Sequence, residues 1–80
     1  MQDLEWRLKL EEREDGVVIS TIKAPFMNWY GKYEIAISVD GSPWNVCFGS
    51  DYKEEIIKKH EEYAKMTKEE LIKIYKDFEI

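Results

Sequence analysis

Histidine occurs once in this chain, at position 60, and cysteine once, at position 47, so nucleophilic or acid–base chemistry has few places to reside. His60 is the only side chain whose ordinary pKa lies near neutrality. It falls among Ile56, Tyr63 and Ala64 at helical spacing, in the middle of an apolar stripe. That setting predicts a packed histidine, its ring nitrogens satisfied by a backbone carbonyl or a tyrosine hydroxyl, rather than a working base. The string His60-Glu61-Glu62-Tyr63-Ala64 begins like a zinc-protease helix, but Ala64 stands where the second histidine ligand belongs. With one His and one Cys, a closed zinc site is not expected. A thiolate–imidazolium pair of Cys47 and His60 would be a nucleophile. Cys47, however, alternates with Trp44, Val46 and Phe48, which assigns it to the sheet face away from them. The glycines at 16, 31, 41 and 49 are too scattered for a phosphate loop. Acid pairs such as Glu54/Glu55 are adjacent on a helix and do not face each other. The expectation is therefore a non-enzymatic protein with no catalytic residue, no metal and no cofactor.

Binding is better supplied with residues than catalysis. Phe26, Met27, Trp29 and Tyr30 crowd a segment that has turn residues at both ends, Ala24-Pro25 and Gly31. Loops are ordinarily polar. One this aromatic either folds back to cap the core or presents anchors to a protein partner, as Trp and Tyr do at hot spots. Stacking on single-stranded nucleic acid also uses aromatic side chains but needs cations nearby, and only Lys23 and Lys32 flank the segment. A second candidate set is Tyr33, Trp44 and His60, which could line a small-ligand or nucleotide pocket, between the protomers of a homodimer.

The elements that must position these residues are legible in the hydrophobic spacing. Up to Ser50 the apolar residues alternate: Leu4, Trp6, Leu8, Leu10; then Tyr33, Ile35, Ile37, Val39; then Trp44, Val46, Phe48. Beyond Ser50 they recur every three or four residues: Tyr52, Ile56, Ile57, His60, Tyr63. Period two marks strands packed on one face, and period 3.6 marks amphipathic helices. Strands are predicted over about 3–12, 17–23, 32–39 and 43–49, with strand two's inward face open between Val17/Ile19 and Val18/Ile22. Asp40-Gly41 predicts a hairpin turn, and Gly16 a positive φ in the first loop. Helices are predicted over about 51–65, capped by Ser50 or Asp51, and 68–78. The break between them rests on a capping box, Thr67 with Glu70, and a staple of Met66 with Leu71. Glu54–Lys58, Glu55–Lys59 and Glu61–Lys65 are spaced for i,i+4 pairs. The second helix is expected to bury Leu71, Ile74, Tyr75 and Phe78. The predicted fold is α+β: a four-stranded antiparallel sheet of two hairpins, then two helices on one face, ββββαα. Glu5, Arg7, Lys9, Lys32, Glu34 and Ser38 should show on the other face.

Size and charge narrow the partners. Eighty residues suit a single domain over 1–80, near the lower limit for independent folding. The net charge is −5, and the acids are spread: 8 against 5 bases in residues 1–50 and 9 against 7 in residues 51–80. This disfavours nonspecific binding to nucleic acid or anionic membrane, which requires a cationic field. One cysteine and a charged, alternating start with no apolar core predict a soluble, cytoplasmic protein.

Residues 29–66 resemble a group of small, uncharacterised bacteriophage and prophage proteins. The resemblance is carried by Tyr33-Glu34-Ile35-Ala36-Ile37-Ser38, by Trp44 and Val46, and by Glu54-Glu55-Ile56 with His60-Glu61. The group has a Tyr-Glu-x-Ala-like strand, a Trp on the next strand and a His-Glu helix; Lys59 stands where many members have Gly. The resemblance implies a phage-type accessory protein, a class in which small acidic domains often bind and inhibit a host or defence protein. Phe26, Met27, Trp29 and Tyr30 would be the contact. The alternatives are a dimeric small-ligand or nucleotide-sequestering protein and, second, a single-strand nucleic-acid binder on the open sheet.

Overall fold

A computed structural model describes residues 7–24 and 31–77. Its elements run β1 (Arg7–Glu12), β2 (Val17–Lys23), β3 (Tyr33–Val39), β4 (Asn45–Ser50), α1 (Lys53–Ala64) and α2 (Lys68–Asp77). The strands form one antiparallel sheet in the order β1-β2-β3-β4, and the helices pack on one of its faces. This is the ββββαα architecture expected from the spacing. Leu4, Trp6, Phe26, Met27, Trp29, Tyr30 and Phe78 lie outside the described residues.

Residues directly opposite on antiparallel strands share a face. Val17, Ile19 and Thr21 oppose Val39, Ile37 and Ile35, all turned toward the helices, which settles the inward face of β2. With Ile56, Tyr63, Leu71 and Tyr75 from the helices they form the core. Each large side chain fully buried there is worth roughly 1.5–3 kcal/mol.

Two β-bulges overturn the simple alternation of the edge strands. On β1, Arg7 opposes Ile22 and Lys9 opposes Thr21, so Leu8 is an extra residue. Leu8 still packs on the core, but the residues after it change sides. Lys9 and Glu11 come to the helix face, where Lys9 Nζ lies 3.5 Å from Glu61, while Leu10 opposes Ser20 on the uncovered face and is 41% exposed. On β4, Phe48 opposes Ile35 and Val46 opposes Ala36, which makes Cys47 the extra residue. Cys47 is buried in the core, Phe48 packs beside it, Val46 is on the other face and Trp44 is 51% exposed. Cys47 thus takes the core side expected of Val46, while Phe48 packs on the core as expected and shares that side with Cys47. Of the residues expected on the watery face, Ser38 is buried rather than exposed.

The turns follow their chemistry. Gly16 has φ +92°, and Asp40 and Gly41 have φ 51° and 79° with Ser42 N–H donating to the Val39 carbonyl at 2.9 Å. That is the Asp-Gly turn anticipated, although β4 resumes only at Asn45, past Pro43, which has no amide to donate. The α1–α2 break is the predicted capping box: Glu70 N–H donates to Thr67 Oγ1 at 3.2 Å, and Thr67 N–H to Glu70 Oε1 at 2.9 Å. At this end Arg13 ties the elements together. Its Nη1 donates to the Met66 carbonyl at 2.8 Å and its Nη2 to Asp15 at 2.5 Å, while Lys68 bridges to Asp40 at 3.0 Å. The ion pair of α1 is Lys59–Glu62 at 3.3 Å, not one of the anticipated i,i+4 pairs. Lys59 also lies over the Phe48 ring, 5.1 Å from its centroid, so aromatic packing on β4 draws it away from Glu55.

Candidate functional site

An antiparallel meander returns the chain to the same end of the sheet on alternate strands. The start of β1, the end of β2, the start of β3 and the end of β4 therefore meet, and α1 begins where β4 ends. At that end lies a cleft of about 400 Å³ lined by Arg7, Leu8, Lys23, Tyr33, Lys53 and Ile57. Register explains part of it, since Lys23 opposes Tyr33, which in turn opposes Ser50.

The neck below the cleft is tightly built. Ala24 N–H donates to the Lys32 carbonyl at 2.8 Å, and Lys32 N–H donates to Asp51 Oδ1 at 3.0 Å. Gly31, at φ +117°, sits where a Cβ would come within 2.9 Å of the Ser50 carbonyl carbon. Because Asp51 is taken up by this neck, it does not cap α1, contrary to expectation. Tyr52 is the N-cap and provides no side-chain hydrogen bond, while Ser50 Oγ accepts from Tyr52 N–H at 3.0 Å. The positive end of the α1 dipole consequently adds to the field beside Lys53.

Charge is distributed unevenly over the molecule. Lys9, Arg13, Lys59 and Lys68 each meet a carboxylate. Lys23 and Lys53 form no ion pair with a described residue. Among the described residues, the cleft is lined by three cations and three residues with apolar surface and by no acid, in a chain whose net charge is −5. Such a lining offers cations and apolar surface to an anion with an apolar portion.

The three residues anticipated as a pocket do not come together. Tyr33 lines the cleft. Trp44 lies past the far end of β3, and the strand from Tyr33 to Val39 spans about 20 Å at ~3.3 Å per residue. His60 is 1% exposed in the core, its Nδ1 hydrogen-bonded to Thr21 Oγ1 at 2.6 Å. The packed reading of His60 holds, with a threonine hydroxyl as partner in place of a carbonyl or tyrosine. Burial lowers its pKa below 6.5, aided by the Lys9 charge and opposed by Glu11 and Glu61. Cys47 is equally unsuited to attack: burial pushes its thiol up to about 11, and Sγ donates to the Asn45 carbonyl at 3.4 Å. Tyr63, buried near Cys47 and Glu62, is pushed up to about 12. Among the described residues no group of three or more His, Cys, Asp or Glu side chains gathers in metal-binding geometry, and no helix is long and apolar enough to cross a membrane.

Arg7, Leu8, Lys53 and Ile57 were not singled out as site residues by sequence reasoning, and Lys23 was noted only as flanking the aromatic segment. The available signal was topological: a meander places both ends of residues 24–32 beside the starts of β1 and α1, so cations at 7, 23 and 53 must converge. In comparisons with family models, curated proteins and solved structures, nothing matched this chain.

Proposed function

We propose that this protein is a non-enzymatic binding module that holds a small anion in the cleft at the start of β1, β3 and α1. The observation that carries the reading is the gathering of Arg7, Lys23 and Lys53, with no acid among the described residues of the lining, on an acidic protein. The volume of about 400 Å³ and the mixed lining suit a bound small molecule, since such sites are of about 300–1,000 Å³. The resemblance to phage and prophage accessory proteins fits a role exercised by holding a molecule rather than converting it.

A thermal-shift series with phosphate, pyrophosphate, nucleotides and dicarboxylates tests this reading. A ligand that binds only the folded state raises the midpoint in proportion to its occupancy. At least one polyanion should do so, and the shift should shrink as salt rises. No shift with any anion at low salt would remove the cleft as a binding site. The alternative is inhibition of a host or defence protein through Phe26, Met27, Trp29 and Tyr30, favoured by the density of aromatic residues in that segment. A pull-down that captures one stoichiometric protein with wild type and with the Lys23→Glu/Lys53→Glu variant alike would favour that alternative, because its contact is independent of the cleft charges.

A further inference from the structure

We infer that the anion held in the cleft is a nucleoside phosphate, with its phosphates at Arg7, Lys23 and Lys53 and its base against Leu8, Tyr33 and Ile57. This rests on the anion-binding reading above and specifies its ligand. Three observations lead to it. First, the cations come from three separate elements, β1, β2 and α1, so they surround a volume rather than line one strand. Lys23 and Lys53 meet no described carboxylate, and a mono- or diphosphate carries enough charge to match both, whereas a single carboxylate would match one. Second, the other half of the described lining is one aromatic ring, Tyr33, and two branched aliphatic side chains, Leu8 and Ile57. Phosphate or pyrophosphate alone would leave that surface in contact with water, whereas a planar base covers it, and base–aromatic stacking is tolerant of base identity. Third, the cleft of about 400 Å³ lies within the range of ordinary small-ligand sites, and inorganic phosphate would fill only part of it. The buried residues with chemical potential, Cys47 and His60, belong to the core and not to this lining.

Titration calorimetry on the full chain at roughly 0.05 M salt, where screening is weak, separates the possibilities. The probes are ADP, GDP, CDP and UDP, with pyrophosphate and adenosine as the two halves of the ligand. The proteins are wild type, Lys23→Glu/Lys53→Glu, Tyr33→Leu and, as a charge control, Lys73→Glu, which alters an exposed residue of α2. Circular dichroism establishes that each variant is folded. At least one nucleoside diphosphate should bind about tenfold or more tightly than either half. The double reversal should weaken it about a hundredfold, roughly tenfold for each charged contact. Tyr33→Leu should weaken the nucleotide but not pyrophosphate, and Lys73→Glu should change neither. Pyrophosphate binding as tightly as every nucleotide would overturn the inference while leaving the anion cleft in place. Absence of binding by any probe, or nucleotide binding unaltered in the double reversal, would overturn both.

Discussion

The two ends of the sheet treat charge in opposite ways. At the hairpin-turn end, Arg13 is shared between Asp15 and the Met66 carbonyl, and Lys68 meets Asp40. Arg13 and Lys68 there each join one element to another, and the result is a clamp on both hairpin turns and the α1–α2 junction. At the cleft end, Lys23 and Lys53 stand beside Arg7 with no carboxylate among the described residues of the lining. Lys23 and Lys53 meet no described carboxylate, and a bound anion would relieve the repulsion between them. One end is built for holding the fold together, and the other offers charge to a ligand.

The largest effect should come from cutting the clamp. Arg13→Ala takes the Arg13 donor from the Met66 carbonyl and leaves Asp15 with only the Val17 amide, and a loss of about 2 kcal/mol in a urea unfolding curve is expected. A loss under about 0.5 kcal/mol would make the turn end no more cohesive than the cleft end. Gly31→Ala probes the neck of the cleft, where positive φ and a 2.9 Å approach to the Ser50 backbone combine. A destabilisation of about 1–2 kcal/mol is expected by the same method. Thr21→Val keeps the shape but removes the partner of His60 in the core between the two ends. It should cost about 1–2 kcal/mol, the usual penalty for a buried polar group left alone.

Titration sharpens the same contrast. Because His60 has a folded pKa below 6.5, the unfolded chain takes up a proton first as pH falls. Its neutral burial therefore penalises folding progressively below pH 6.5, by at most about 1.4 kcal/mol per pH unit. His60→Gln should flatten that slope in unfolding midpoints measured from pH 7.5 to 5.5. The turn end responds only at lower pH. For Asp15, burial raises the pKa, but the Arg13 and Val17 hydrogen bonds and the Arg13 and Lys68 charges outweigh it and hold it low. The Thr67 amide and hydroxyl hold Glu70 low. These carboxylates stabilise the fold above the ordinary carboxylate range, and that contribution fades as pH falls through it. The smallest effect belongs to the cleft end: Lys23→Ala and Lys53→Ala should shift stability by no more than about 0.5 kcal/mol, in either direction. A larger loss would mean that these lysines hold the fold.

Much of this molecule could be read from residue order alone because the signals are local. Alternation over β3, the Asp40-Gly41 turn, the Thr67–Glu70 box and the 3.6-residue stripe through Ile56, His60 and Tyr63 each depend on neighbours within a few positions. Those signals were sufficient for ββββαα and for a His60 packed in the core. Three other features depended on distant partners. The bulges at Leu8 and Cys47 insert a residue without altering local composition, and only pairing with β2 and β3 reveals that Lys9, Leu10, Val46 and Cys47 change sides. Asp51 had the right chemistry to cap α1, but Lys32, nineteen positions earlier, draws it elsewhere. The cleft joins residues 7, 8, 23, 33, 53 and 57, separated by whole elements, so its charge exists only once the sheet has assembled. Local periodicity determined which segments became strands and helices. Long-range strand pairing decided which side chains face one another, because a single inserted residue turns the rest of a strand over.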